Sequence, residues 1–396
     1  MARAVEDRIY VLDVLRGVAI LGILIANITS FATPGFSTQF SSNVPERTHA
    51  EWLFDAFSLV FVNGKFRSIL AILFGVGLWM QYERRSGEGT WPWSYLKRTA
   101  LLLALGLLHG YLIWYGDILA LYALIAAMTM IFVKSKDQTL WWMIVVLAAN
   151  AFVTAVVLLF LMLRFYGTSG AQEWDLGQAW SIFTSAGETA VYQSGSWVQQ
   201  LGVRAIFYSI TLVLNLVIGP LILPLFLFGL LLARHGVLQA PSEHSAYRKW
   251  CLLLGFGVGL PLSLFGFIPM SARAAESVQM AFETFVGPLL ALGYLMLVAV
   301  VVEKGWLRGI TSVLAKVGRV ALSAYLLQSL LCTFVFYSWG LGLFGKLSPA
   351  GLVFVIAGAW IADILFAFVW LRFFRMGPVE WLWRSVSEGK RLGLKA

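Results

Sequence analysis

The chain has 396 residues, 60% of them hydrophobic and 12% charged, with a formal net charge of +9 and a mean hydropathy of +0.81. No soluble domain is this apolar, and several runs exceed the ~20 residues that cross hydrocarbon, so the composition specifies an all-α polytopic integral membrane protein. Its two cysteines, Cys251 and Cys332, lie in apolar runs and point to neither a disulfide framework nor a metal site.

The first predicted span, Tyr10 to about Ser30, reads YVLDVLRGVAILGILIANITS. An Asp and an Arg stand near its start and no A-x-A cleavage site follows, so it reads as a retained anchor. Asp13 and Arg16 are three apart and share a helix face, where they can pair. Asn27 follows Arg16 by eleven residues, close to three whole turns, so the three polar residues form one stripe reaching roughly 16 Å deeper. Charge at bilayer depth costs a few kcal/mol or more, so the stripe is expected to face the bundle interior; the plainer reading is a helix cap at the interface.

Further spans are predicted at about 52–82, 99–114, 118–133, 139–165, 205–232, 250–268, 282–302, 320–339 and 351–374, giving ten in a single transmembrane domain over 1–396. Asn63-Gly64-Lys65 interrupts the second, and Pro220 and Pro224 are expected to kink the sixth. Segment 166–202 carries Glu173, Asp175 and Glu188 but no Lys or Arg, and reads as amphipathic helices on the extracytoplasmic surface. Segment 303–319 reads as a basic loop.

Alternating the sides resolves the net charge into topology. The N-terminus through Arg16, the loops 83–98, 134–137, 233–249 and 303–319, and the tail from Arg372 hold 22 of the 29 Lys and Arg residues. The other side and helix ends hold seven: Arg47, Lys65, Arg67, Arg164, Arg204, Arg273 and Lys346. By the positive-inside rule both termini are cytoplasmic, and no nucleic-acid partner is implied. There is no P-loop, dinucleotide glycine fingerprint or paired zinc-ligand spacing, and no internal repeat of the transporter kind.

Several polar residues then fall in the outer half of the membrane. His109 sits in GLLHGYLIWYGD, with Asp117 in the adjoining turn and Gly110 and Gly116 leaving room for close approach. A histidine whose tautomer is held by a carboxylate is a general-base arrangement; a packed histidine satisfied by a carbonyl or hydroxyl is the structural alternative. Lys65 and Arg67 can hold an anionic group at membrane depth or snorkel to the interface. Asp363 and Glu283 are further intramembrane acids.

The segments RIYVLDVLRGVAILGILIAN, NGKFRSILAILFGVG, GLLHGYLIWYGDILALYAL, GRVALSAYLLQSLL with GLGLFGKL, and GPVEWLW resemble one family, the bacterial YeiB-like inner-membrane proteins, a domain of unknown function. The match covers nearly the whole chain and implies an inner-membrane location. That family is grouped with the transmembrane acyltransferases, which include the acyltransferase-3 enzymes and the lysosomal heparan glucosaminide acetyltransferase. The resemblance implies transfer of an acyl group from a cytosolic donor to an acceptor across the membrane. Acyl-CoA is the candidate co-substrate, and no tightly bound cofactor is expected.

In the acyltransferase-3 pattern an essential histidine lies eleven residues after the helix 1 arginine; here that position is Asn27, which cannot act as a base. The glucosaminide enzymes place their histidine in the following loop, in a stretch like HASW, and this chain reads His49-Ala50-Glu51-Trp52. The resemblance therefore leaves His109 with Asp117, or His49, as catalytic candidates. Arg98, in YLKRTALLL, resembles a basic residue that faces the CoA phosphates, with Arg16 and Asp13 beside the donor and Asn27, Lys65 and Arg67 toward the acceptor. Partners implied are membrane lipids, a lipid-linked or saccharide acceptor, and a second copy of the chain. The rival reading is a transporter or binding protein moving a lipid or small anion through the same polar path without covalent chemistry; a third is a scaffold in an envelope complex.

Overall fold

A computed structural model describes residues 9–38, 48–166, 180–268 and 282–395. The described residues form an all-α bundle, with only a single bridge between Phe374 and Lys395 in extended pairing. Six helices are long and apolar enough to cross a membrane, or seven if one bent pair counts as a single span. The many exposed Leu, Val, Ile, Phe and Trp side chains on their outer faces suit a lipid environment, where apolar exposure carries no penalty.

Helix α1 (Tyr10–Ala32) is the centre of the bundle. It packs against α4 (Lys65–Ser86), α12 (Phe282–Glu303), α13 (Arg308–Arg319), α14 (Ala321–Phe336) and α15 (Pro349–Phe373). The short α2 (Gly35–Thr38) follows α1. Next, α3 (His49–Phe61) starts with a capping box in which Thr48 and Glu51 satisfy each other's backbone amides. The Asn-Gly break between α3 and α4 has a packing cause. Gly64 is left-handed at φ 78°, and a Cβ there would stand 2.5 Å from the Glu283 carbonyl, so only glycine lets α12 approach.

The chain continues through α5 (Trp93–Leu112), α6 (Leu119–Met130) and α7 (Asp137–Tyr166). Of the 166–202 segment, residues 167–179 lie outside the described residues; its later part forms α8 (Ser185–Ser194), which buries Glu188 and Tyr192. The sixth predicted span changes helix type at its prolines. It divides into α9 (Trp197–Ile218) and α10 (Leu223–Arg234), because Pro224 opens the second helix and a tight turn over Gly219–Ile222 joins them. Helix α11 (Ser245–Phe267) widens to π geometry over Leu253–Gly259, and α12 lies against it.

The segment 303–319 is not a loop: its residues from Arg308 form α13, bent 83° from α14 and lying along α1. Its apolar face is covered by α1, so a strongly basic sequence still forms an ordered helix. After α15, α16 (Pro378–Glu388) ends the bundle. Glu380 of α16 caps α14, accepting the amides of Leu322 at 2.7 Å and Ser323 at 3.1 Å. That is the structural content of GPVEWLW: Pro378 starts the helix and Glu380 locks it to α14.

Candidate functional site

The centre of the site is a buried histidine bonded at both ring nitrogens. Helix α5 carries His109 at its C-terminal turn, and the connection to α6 returns Asp117 beside it. His109 Nδ1 lies 2.9 Å from Asp117 Oδ1, and Nε2 lies 2.9 Å from the Ser329 hydroxyl of α14. These three residues are 1%, 4% and 1% exposed.

The roles of the atoms follow from the partners. Asp117 Oδ2 accepts the Ala120 amide at 2.8 Å and faces the Tyr208 hydroxyl at 3.3 Å, so both carboxylate oxygens act as acceptors. His109 therefore donates from Nδ1; a neutral imidazole then presents its Nε2 lone pair to Ser329, whose hydroxyl also lies 3.2 Å from the Tyr325 carbonyl to which it can donate. Two aromatic rings close the cluster: Tyr325 of α14 packs 5.1 Å from the imidazole and Trp114 stands edge-on at 6.4 Å. Gly110 makes this possible, since a Cβ there would meet the Tyr208 ring at 2.1 Å. A serine, a histidine and an aspartate in hydrogen-bonded series can activate a hydroxyl.

The same helix face reaches the opposite end of the bundle. Arg98 precedes His109 by eleven residues on α5, close to three turns and ~16 Å along the axis. Its guanidinium lies 4.5 Å from the Trp383 ring of α16, whose Nε1 donates to the Arg98 carbonyl at 2.8 Å. The charges of Arg384, Arg84 and Arg85 act on the same group. Arg85 bridges Glu88 at 2.6 Å and Glu388 at 3.2 Å. This basic cluster lies at the end of the bundle where α1 begins.

The other predicted residues are distributed differently. Asp13 is buried and pairs with the half-buried Arg16 at 3.1 Å, while Asn27 is half-buried three turns further along α1. Lys65 is fully buried and donates to the Leu59 carbonyl at 2.5 Å. Arg67 lies 3.7 Å from Glu283. His49 is exposed at the start of α3, stacked at 5.6 Å on Trp52, and pairs with no described carboxylate. Asp363 is buried and accepts the Gln328 amide at 2.6 Å, which also donates to the Ile20 carbonyl. Among the described residues no group of three or more His, Cys, Asp or Glu is placed to hold a metal.

Sequence reasoning did not reach Ser329, Tyr208 or Tyr325. A signal was present for α14, where Ser323, Gln328, Ser329 and Thr333 interrupt an otherwise apolar span and are all buried.

Fold and site together define a multi-pass all-α membrane protein built around one histidine-centred polar cluster. A family model described as a protein of unknown function, DUF418, matches residues 232–390. The uncharacterised protein YeiB of Escherichia coli (strain K12) is 32% identical over 396 residues, covering 96% of each chain. The uncharacterised protein YxaH of Bacillus subtilis (strain 168) is 32% identical over 407 residues, 96% of this chain and 94% of that one. The chain belongs to the YeiB-like DUF418 family. No solved structure matches it.

Proposed function

We propose that this protein is an inner-membrane acyltransferase, carrying an acyl group from a cytosolic thioester to an acceptor hydroxyl or amine on the far side or in the lipid. In this reading the basic end of the bundle is cytoplasmic and Arg98, with its neighbouring arginines, holds the anionic part of the donor. The observation that carries the proposal is the contact of His109 Nε2 with a hydroxyl 2.9 Å away while Nδ1 is held by Asp117. It lies on the same stripe of α5 as Arg98, so a donor gripped at Arg98 would extend toward it.

Chemically, the acceptor hydroxyl gives its proton to His109 Nε2 as its oxygen bonds to the acyl carbon. The carbon–sulfur bond then breaks, and the thiolate takes the proton back from the imidazolium. Ser329 now occupies the position at Nε2 that the acceptor hydroxyl would take, so turnover requires the Ser329 side chain to rotate aside. A base in this role contributes about 10²–10⁴ in rate.

The test compares His109→Ala, His109→Asn, His49→Ala and the double mutant His49→Ala/His109→Ala in a complementation or acyl-transfer assay with the expression level measured. His109→Asn should be nearly as damaging as His109→Ala, because asparagine cannot take the proton. Full activity in the double mutant would overturn the mechanism. Loss of activity in Lys65→Ala or Arg67→Ala, with His109→Asn intact, would instead support movement of an anion without covalent chemistry.

A further inference from the structure

The turn that enters α13 carries a cost that no contact inside the protein offsets. Leu307 is left-handed at φ 52°, the one non-glycine residue with a positive φ among the described residues. That conformation crowds a side chain against its own backbone, and glycine or asparagine is its usual occupant. Leu307 is nevertheless 62% exposed, and Trp306 and Ile310 are each 57% exposed.

Positive charge frames this apolar tip. Lys304 and Arg308 are exposed on either side of Trp306 and Leu307, and Lys316 follows Arg308 by about two turns of α13. Gly305 is also left-handed, at φ 66°, and the Arg308 guanidinium folds back over it: a Cβ there would stand 2.8 Å from Nη2. The Lys316 ammonium rests 3.6 Å from the Phe368 ring of α15. Among the described residues neither Arg308 nor Lys316 forms an ion pair. Glu303, the acid beside Lys304, is bonded to the Ser242 amide at 3.0 Å and to its hydroxyl at 2.5 Å.

The fold fixes where this surface lies. Helix α13 turns 83° from α14, so it runs across the end of the bundle rather than along the span. Its inner face is closed on α1. Thr311 accepts the Tyr10 hydroxyl at 3.1 Å, and a Cβ at Gly318 would stand 1.8 Å from the Asp13 carbonyl. The tip stands outside that contact, on the side of the bundle that holds 22 of the 29 Lys and Arg residues. Water would leave its apolar side chains exposed, and hydrocarbon would strip its basic ones. Both are satisfied at the headgroup boundary of an anionic leaflet.

We infer that the Lys304–Ile310 turn is a docking site for an anionic phospholipid. Trp306, Leu307 and Ile310 enter the acyl boundary, and Lys304 and Arg308 take the headgroup phosphate. The inference does not depend on acyl transfer. Lipid held there would press α13 onto α1 beside the Asp13–Arg16 pair.

The test uses the purified full-length protein in a neutral detergent, with dioleoyl phosphatidylglycerol and dioleoyl phosphatidylcholine competing, read by native mass spectrometry. The unmodified protein should retain phosphatidylglycerol. Each basic residue near an anionic surface contributes about fivefold, so Lys304→Gln/Arg308→Gln should cut the preference about 25-fold. Lys134→Gln/Lys136→Gln makes the same charge change in another exposed loop on that side and should leave the preference nearly unchanged. Leu307→Gly removes an apolar anchor and relaxes the left-handed turn, so retention should fall with no loss of melting temperature. Cys251 and Cys332 are buried, so a spin label can be placed at Ile310→Cys. In phosphatidylglycerol nanodiscs it should be more open to oxygen than to a water-soluble nickel chelate. Equal retention of the two lipids, equal loss from both charge pairs, or unchanged retention in Leu307→Gly would overturn the lipid site. A label more open to nickel than to oxygen would also overturn it, and would make the tip a surface for a protein partner.

Discussion

Asp117→Asn is the sharpest perturbation of the site, because it keeps volume and removes only the capacity to accept on every side. Asp117 takes the His109 Nδ1–H at 2.9 Å on one oxygen, and on the other the Ala120 amide at 2.8 Å with the Tyr208 hydroxyl at 3.3 Å. An amide has one acceptor oxygen. If that oxygen keeps Ala120 and Tyr208, the amide nitrogen faces His109 Nδ1 and donates, which moves the ring proton to Nε2. The lone pair aimed at Ser329 is then lost, and with it the base. We expect activity to fall by about 10²–10⁴, the usual contribution of a general base. Stability should fall by only ~1.5–3 kcal/mol, the range for one hydrogen bond to a charged group. Asp117→Ala should cost more stability, since it leaves the buried Ala120 amide unsatisfied at ~1–3 kcal/mol, while the Tyr208 hydroxyl keeps the Gly106 carbonyl at 3.2 Å. The assay is acyl transfer or complementation beside a melting curve in the same detergent. An Asp117→Asn protein with full activity would refute the tautomer argument, however stable it proved.

Two further outcomes concern the far end of the bundle. Glu188 of α8 lies outside the spanning helices, fully buried and accepting the Ser37 amide at 2.8 Å; burial pushes its carboxyl up to about 7 from 4.5. The neutral form is the one the fold prefers, so its stability contribution is complete below pH 4.5 and is lost as pH rises to about 7, a span of about 3 kcal/mol. The melting temperature relative to Glu188→Gln should therefore fall between pH 5 and 8, and parallel curves would contradict the assignment. For topology, Ala186 is exposed on α8, while Cys251 and Cys332 are both buried and should stay silent. Ala186→Cys should react with an impermeant thiol reagent in intact cells; labelling only after lysis would reverse the orientation.

The sequence was most informative wherever a polar residue stood inside an apolar run. Each such residue needs a partner at membrane depth, so Asp13 with Arg16 and His109 with Asp117 could be paired from spacing alone. The all-α membrane class was similarly legible, because bilayer thickness sets a length that composition reveals; of the ten spans expected, six or seven meet that length and apolarity among the described residues. What spacing could not supply was the partner from a distant helix. Ser329 reaches His109 across 220 positions, and the spans that bring them together show no amphipathic stripe to orient them, since lipid and protein interior are equally apolar. A different cause hid α13: its basic residues resembled a solvated loop, although its apolar residues fall on one helical face, the face that lies on α1.

Arg204 illustrates the consequence for function. In the sequence it was one of seven basic residues on the sparsely charged side, with nothing to distinguish it from an interfacial anchor. An anchor would place its guanidinium in water beyond the headgroups. The fold instead seals it behind Trp197 and Tyr337 and gives one nitrogen to the end of α5, leaving the others buried without a hydrogen-bond partner beside an apolar cavity. The two polar centres are then linked through the chain itself. Arg204 grips the carbonyls of Leu112 and Ile113, three and four residues past His109, and the cavity wall includes Leu330, the residue after Ser329.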